Sequence, residues 1–240
     1  MMKIIELLEK ETDLTRPAVY VVATPIGNAD DITIRALKIL ASVDLLICEE
    51  RKIGARLMRS YGIKHEFIEL NEHNEKEYSE ELAMRIVSEN LSVALISDAG
   101  TPLFADPGNK FIPICYQKGI SVIPVPGASS LMAALMAAGI SSPRFLYYGF
   151  LPANKQSRQQ AIRRLPSSDD IIILEAPYRL KQLITDMEKY LGPKRQAVLC
   201  WKLTYPEEQI IEGDLGYIKE ATAEFGKGEF VLILRRKERR

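Results

Sequence analysis

Apolar residues come in short runs along this chain, each closed by a cluster rich in Gly, Pro, Asn or Asp. Ala18-Val-Tyr-Val-Val-Ala23 reads as a strand buried on both faces, as in a parallel sheet. Thr24-Pro-Ile-Gly-Asn28 stops it, and Asp30, Asp31 and Thr33 offer caps for a helix with Ile34, Leu37 and Leu40 on one stripe. Residues 43–48 give a second strand and 53–60 a helix closed by Tyr61-Gly62; 64–70 suggest a short strand. A helix bearing Tyr78, Leu82 and Ile86 leads to a strand over 91–96, then to a helix with Phe111, Ile114 and Cys115 and a strand over 120–124. Strand, turn and helix thus alternate throughout the first 125 residues, which predicts an α/β unit with a mainly parallel sheet.

The second half has another texture. Pro124-Val-Pro-Gly127 turns into an alanine-rich helix over 131–138, and an aromatic run at 145–148 leads to Gly149-Phe-Leu-Pro152. Residues 155–165 form a basic helical stretch, 170–175 a strand, and Pro177 starts a helix through Leu183 and Met187. Runs at 196–201 and 230–234 read as strands without regular crossovers, which predicts a mixed sheet with helices. The expected division is an N-terminal arm over 1–17, with Met2 to Glu9 as a short helix or frayed end, an α/β domain over 18–125, a hinge and connecting helix over 126–144, and a second α/β domain over 145–240.

At 240 residues the chain can bury its cores without staples. Cys48, Cys115 and Cys200 are widely spaced, which suggests a reducing compartment and fits neither a zinc motif nor a disulfide framework. Acidic residues near the start do not resemble a signal peptide, and no apolar stretch suits a membrane span, so a cytoplasmic protein is expected. Lys plus Arg balance Asp plus Glu at 32 each, which argues against a protein that coats nucleic acid but leaves room for local basic patches. Three such groups occur: Arg51, Lys52, Arg56 and Arg59; Lys155, Arg158, Arg163 and Arg164; and Arg235, Arg236, Lys237, Arg239 and Arg240.

The densest turn is Ser97-Asp-Ala-Gly-Thr-Pro102, continuing to Asp106-Pro-Gly108. With the turns at 24–28, 49–52 and 124–130 it would gather at one edge of a parallel sheet, where such folds place ligands. Neither a Gly-x-Gly-x-x-Gly run nor a phosphate-loop lysine motif is present, so the loops suit a ligand held by backbone and short side chains. Asp98, Asp106 and Glu49 could hold magnesium only through a convergence that spacing does not show, and no metal is expected. His73 reads as a base, a substrate contact, or a capping or packed residue. Cys48 beside Glu49 and Glu50 is a poor nucleophile, because carboxylates disfavour the thiolate. Phe104 could stack on a base or plug an interface.

Several segments carry a resemblance: Val22-Ala-Thr-Pro-Ile-Gly-Asn28 with Asp31-Ile-Thr33, Tyr61-Gly-Ile63, Glu72-His-Asn-Glu75, Ser97-Asp-Ala-Gly-Thr-Pro102 with Asp106-Pro-Gly108, Pro126-Gly127 with Ser129, Gly149-Phe-Leu-Pro152 with Lys155, Pro177 with Arg179-Leu180, and Gly228-Glu-Phe-Val231. In this order they resemble the tetrapyrrole methylase superfamily and, within it, the ribosomal RNA small subunit methyltransferase I family. The resemblance implies two α/β domains, usually dimeric, with S-adenosylmethionine in a cleft between them, and methyl transfer to a cytidine ribose 2′-hydroxyl of 16S rRNA. Carried over, the cofactor would touch Pro25, Gly27, Asp98, Ala99, Gly100, Thr101, Ser129, Ser130, Ala176 and Pro177. Glu49 and His73 would position the ribose hydroxyl or accept its proton, while Lys52, Arg56, Phe104, Lys155 and Arg158 would face RNA. The implied partners are 16S rRNA in the small ribosomal subunit and a second copy of the chain.

The family's Glu-Asp-Thr-Arg is Glu49-Glu-Arg-Lys52 here, its Glu-Ser-Pro-His-Arg is Glu175-Ala-Pro-Tyr-Arg179, and its Arg-Glu-Leu-Thr-Lys is Trp201-Lys-Leu-Thr-Tyr205. The cofactor loops are kept better than the substrate-facing ones. The alternatives are a methyltransferase of this fold with another RNA or small-molecule target, and a ribosome-associated binding protein that keeps the cofactor without activity.

Overall fold

A computed structural model describes residues 12–104, 108–140 and 144–237. The expected helix or arm at residues 2–9, and Asp106, lie outside them. The chain forms two compact units that divide between Ser129 and Ser130.

The first unit holds β1 (Ala18–Val22), β2 (Leu45–Cys48), β3 (Phe67–Glu69), β4 (Ser92–Ile96) and β5 (Ser121–Val125) in the order β3-β2-β4-β1-β5, every pairing parallel. The connecting helices are α1 (Ile34–Ser42), α2 (Arg51–Ser60), α3 (Glu75–Ser88) and α4 (Phe111–Gln117). The continuous apolar runs have a simple cause. Alternate strand residues point to opposite faces, and both faces are covered. Tyr20, Val22, Leu46 and Ala94 pack with Leu37 and Leu40 of α1 and Met58 of α2. Val19, Ile47, Val93 and Leu95 pack with Leu82 and Ile86 of α3 and Phe111 and Cys115 of α4. Each fully buried side chain of this size stabilises the fold by about 1.5–3 kcal/mol.

Capping sets the helix starts. Thr33 accepts a bond from the Ala36 N–H at 3.0 Å, and Asn28 caps the 3-10 turn at Ala29–Asp31. Thr33 therefore takes the capping role, while Asp30 and Asp31 lie within that turn.

The second unit contains α5 (Ser130–Ala137), β6 (Phe145–Phe150), α6 (Lys155–Arg163), β7 (Asp170–Glu175), α7 (Leu180–Leu191), β8 (Gln196–Trp201), β9 (Gln209–Asp214), α8 (Leu215–Ala221) and β10 (Phe230–Leu234). Its sheet runs β6-β7-β10-β8-β9; only β6 and β7 pair in parallel. Ile171, Ile173, Leu199 and Leu232 pack with Ile162 of α6, Leu183, Ile184 and Met187 of α7, and Ile218 of α8. On the other face α5 packs on β10, and the Cys200 Sγ lies 4.0 Å from the Ala134 carbonyl. The sequence reading contained neither β9 nor α8. No residue of edge strand β9 is fully buried and half are exposed, so it lacks the apolar signature of its neighbours. The start of α8 is set by Asp214, whose side chain accepts from the Tyr217 N–H at 2.9 Å.

Candidate functional site

In the first unit Val22 lies level with Ile96 on one side and Val125 on the other, so β1, β4 and β5 end flush. Their loops are then tied by backbone. Ala23 N–H donates to the Val125 carbonyl at 3.1 Å; Thr24 and Gly100 exchange two bonds, at 2.9 and 3.1 Å. The buried Thr24 hydroxyl donates to the Ser97 carbonyl at 3.1 Å, and that of Thr101 to the Ala128 carbonyl at 3.1 Å. Residues 25–27, 98–101 and 128–129 are thereby held side by side. Two glycines permit this approach. Gly100 has φ +85°, and a Cβ on it would lie 2.9 Å from Ile26 Cγ2; a Cβ on Gly127 would meet that of Ala23 at 3.1 Å. Of the expected cofactor residues, Pro25, Gly27, Asp98, Ala99, Gly100, Thr101 and Ser129 come together on this edge. Ser130, Ala176 and Pro177 lie in the second unit.

Beside these loops β2 ends at Cys48. Burial pushes its thiol up to about 12, with Asp98 and Glu69 adding to the effect, so the thiol is inert at neutral pH. Glu49, next in the chain, is half-buried. The Glu69 carboxylate accepts from the Arg51 N–H at 3.0 Å and so tethers the first turn of α2. Gly54 lets that helix close on Cys48 and Phe67, where a Cβ would meet atoms at 3.2 Å. Met58 is buried on the same face, which leaves Lys52, Arg56 and Arg59 exposed on the other.

His73 stands at the tip of the turn before α3. Its N–H donates to Asn71 Oδ1 at 3.1 Å, and Asn74 ties the turn back to the Glu69 carbonyl at 2.9 Å. The imidazole is 85% exposed, with Glu72 at 3.7 Å, which rules out the packed-histidine reading. The turn's anchoring residue is Glu75, to which the sequence reading assigned no role. Its buried carboxylate accepts from the N–H groups of Gly108 and Lys110 at 2.8 Å each, and from Phe111 at 3.4 Å. This one side chain caps α4 and fixes where the chain leaves the 97–108 loop. Its place at the first position of a helix gave no hint of that, because the contact spans 33 residues. Phe104, in the same loop, is 61% exposed.

In the second unit Glu175, Phe230 and Trp201 form one row across β7, β10 and β8. Glu175 Oε1 accepts from the Ala176 N–H at 2.9 Å and Arg179 Nη1 at 3.2 Å, while its buried Oε2 has no hydrogen-bond partner among the described residues. The indole Nε1 of Trp201 is likewise buried and unpaired among them. Gly228 closes over that indole, where a Cβ would lie 2.6 Å from Nε1, and its N–H reaches the Pro177 carbonyl at 3.5 Å. The carboxylate beside Ala176 and Pro177 was also missed by the sequence reading.

One expected RNA contact is corrected. Lys155 is exposed at the start of α6, but Arg158, one turn on, is buried. Its Nε pairs with Asp186 of α7 at 3.1 Å and its Nη1 with the Ala153 carbonyl at 2.9 Å. A helix carries basic residues on both faces when the inner one finds a carboxylate, and charge alone could not distinguish them. Among the described residues no three His, Cys, Asp or Glu side chains converge as a metal site would, and no helix is long and apolar enough to cross a membrane.

Residues 18–219 match the family Tetrapyrrole (Corrin/Porphyrin) Methylases. The chain is 40% identical over 219 residues to the ribosomal RNA small subunit methyltransferase I of Pasteurella multocida, covering 90% of this chain and 78% of that one. It is 38% identical to the protein of the same name in Escherichia coli O157:H7, covering 94% and 80%. Among solved structures, diphthine synthase superimposes with a TM-score of 0.69 at 18% identity, covering 93% and 92%. Uroporphyrin-III-C-methyltransferase from Thermus thermophilus gives 0.64 at 18%, covering 92% and 95%. At that identity the two structures speak for the fold alone. Together, the family match and these relatives, covered over about four-fifths of their own length, establish that this chain belongs to the tetrapyrrole methylases and, within them, to the ribosomal RNA small subunit methyltransferase I family.

Proposed function

We propose that the protein transfers a methyl group from S-adenosylmethionine to the ribose 2′-hydroxyl of a cytidine in 16S rRNA. The observation that carries this reading is the 40% identity over nine-tenths of the chain to a ribosomal RNA small subunit methyltransferase I. The residues present fit the cofactor. Loops 25–27, 98–101 and 128–129 form a glycine-dependent cradle of backbone and short side chains. A buried carboxylate oxygen of Glu175 is ready to accept a bond beside Ala176 and Pro177. Bound there, S-adenosylmethionine supplies an electrophilic sulfonium methyl that an oxygen nucleophile can displace in line.

The chain's own work is to hold and align. Pro25, Gly27, Asp98, Ala99, Gly100, Thr101 and Ser129 bind on the first unit, and Ser130, Ala176 and Pro177 on the second. Glu49 and His73 orient the ribose hydroxyl or take its proton as the methyl is transferred. His73 is suited to the latter because its ring faces solvent and can pass the proton on. Lys52, Arg56 and Lys155 carry exposed cations for RNA phosphates, and Phe104 offers a ring for a base. The substrate is the RNA within the small ribosomal subunit, met in the cytoplasm, and the active form is a homodimer.

Nucleoside mass spectrometry of 16S rRNA from cells with and without the gene tests this. Loss of one 2′-O-methylcytidine on deletion, restored by the wild-type gene, is the expected result. An unchanged 2′-O-methylcytidine level would overturn the target, and failure to methylate isolated 30S particles in vitro would overturn the activity.

A further inference from the structure

The sheet of the second unit has another end. Ile171, Ala197 and Leu234 form a row there, four residues along from the row of Glu175, Trp201 and Phe230. At about 3.3 Å per residue the two rows are roughly 13 Å apart. At this far end lies a cavity of about 1040 Å³. Five of its lining residues are cationic, from just two segments: Lys194 with Arg195, and the run of Arg235, Arg236 and Lys237. Among the described residues, the carboxylates of Asp170 and Glu212 leave the lining with three excess positive charges in a chain whose net charge is zero. The tail cluster legible in the sequence therefore joins residues 40 positions upstream.

Arg195 is the telling member. It is 7% exposed, and its Nε is buried without a hydrogen-bond partner among the described residues. Burial lowers its pKa, with Asp170 opposing the shift. A guanidinium so placed is costly to the apo fold unless an anion completes it. The nearby carboxylates each hold another group as well. Asp170 accepts from the Arg236 backbone N–H at 2.9 Å, and Glu212 from Arg235 Nη2 at 3.1 Å. Arg235 is also locked to the Ala138 carbonyl at 2.6 Å, so one guanidinium is held rigidly on the wall. The Arg236 and Lys237 side chains stand exposed at the rim.

Among the described residues the lining contains no aromatic ring; its planar groups are guanidinium forks, whose geometry matches phosphate oxygens. Seven of the thirteen described lining residues are charged, whereas the core of a protein-docking surface is depleted of charge. The volume lies at the upper end for a ligand pocket and exceeds what a single phosphate needs. Fixed and exposed cations around a roomy hollow without aromatic rings suit a run of phosphodiesters.

We propose that this cavity seats the sugar–phosphate backbone of the rRNA substrate at a point remote from the methylated nucleotide. The inference rests on the RNA-substrate reading above. It gives the second unit an anchoring role separate from the cofactor-side row.

Two variants test it: Arg236→Glu combined with Lys237→Glu at the exposed rim, and Arg195→Gln in the wall. Methyl transfer to 30S particles and anisotropy of a fluorescent 16S rRNA fragment across a KCl series are the readouts. The rim variant should raise KM for the particle about tenfold and flatten the log-affinity against log-salt slope by about one to two. Its kcat and its affinity for S-adenosylmethionine, measured by calorimetry, should stay at wild-type values. Arg195→Gln should move KM the same way; if it fails to fold, the rim variant alone decides. Unchanged KM and salt slope in the rim variant would overturn the proposal. So would a change of oligomeric state in sedimentation velocity, which would mark the cavity as a contact between copies. If wild type itself methylates no particle, the functional reading has failed, and the anisotropy slopes alone judge the cavity.

Discussion

The two sheets handle their ends differently. In the first unit all five strands are parallel, so every strand-to-helix turn leaves from one edge. That edge gathers the turns after β1, β2, β4 and β5, and the opposite edge receives only returning helices. In the second unit three of four pairings are antiparallel, and turns fall at both ends. One end carries a buried carboxylate and indole beside Ala176 and Pro177, the other a cationic hollow. A parallel sheet concentrates its chemistry, whereas a mixed sheet can hold two chemistries apart by its own strand length. Substitutions that act on one side of this contrast and spare the other can break or sharpen it.

The largest effect is expected inside the second unit. Arg158→Ala would strand Asp186 without its cation between α6 and α7, and losing one partner of a buried pair costs about 3–5 kcal/mol. Lys155→Ala, on the exposed side of the same helix, should stay within about 0.5 kcal/mol. Urea unfolding of both variants checks this, and RNA affinity supplies the contrast. Arg158→Ala should lose stability, and the fraction still folded should bind RNA as wild type does. A stable Arg158→Ala protein with weakened RNA binding would restore the RNA role that its burial argues against.

Next comes the anchor of the first unit. Glu75→Ala removes the acceptor for three N–H groups at the start of α4; with partial rehydration the cost is about 2–4 kcal/mol. Hydrogen exchange should then rise at Gly108, Lys110 and Phe111 and leave the second unit's strands unchanged. Exchange rising equally in both units would show that the anchor is global, not local. Gly100→Ala is smaller in stability but sharper in function. Placing a Cβ at φ +85° costs about 1–3 kcal/mol, and contact with Ile26 spreads the cradle. S-adenosylmethionine affinity should fall at least about tenfold, equivalent to about 1.4 kcal/mol, while the variant remains folded. Wild-type affinity in a folded Gly100→Ala protein would remove loop 98–101 from the cofactor site.

Much of this was legible in the residues because the parallel unit obeys local rules. Apolar runs that need cover on both faces announced β1, β2 and β4, and turn clusters announced their ends. The strands β7, β8 and β10 were equally readable, being apolar and buried on both faces. What escaped notice depended on partners far along the chain. Edge strand β9 owes its place to pairing with β8, and α8 its start to the cap at Asp214, rather than to apolar content. Glu75 and Arg158 look like any helical charge until the residues that meet them, 33 and 28 positions away, are known. The basic cluster at 235–237 gained meaning only when the sheet brought Arg195 beside it.

The smallest effect concerns pH, and it separates the units cleanly because both histidines, His65 and His73, lie in the first. Burial holds His65 below its ordinary value of 6.5, although a backbone contact with Leu40 and the nearby Asp44 carboxylate pull it up. Its Nε2 is buried without a hydrogen-bond partner among the described residues, so the folded state favours the neutral ring. The sign follows from proton uptake: the unfolded chain binds this proton at higher pH than the folded chain does. The histidine's contribution is therefore complete above about pH 6.5 and is lost as pH falls toward the depressed folded value. Between pH 7 and 5.5 the thermal midpoint of the first unit should decline modestly, while the second unit, with no histidine, should hold. His65→Gln should flatten the decline, and His73→Gln, at an exposed position, should leave it in place. Monitoring Trp201 fluorescence for the second unit and exchange at β1 and β4 for the first would follow the two separately. An acid-side slope that survives His65→Gln would move its origin from this buried ring to the carboxylates.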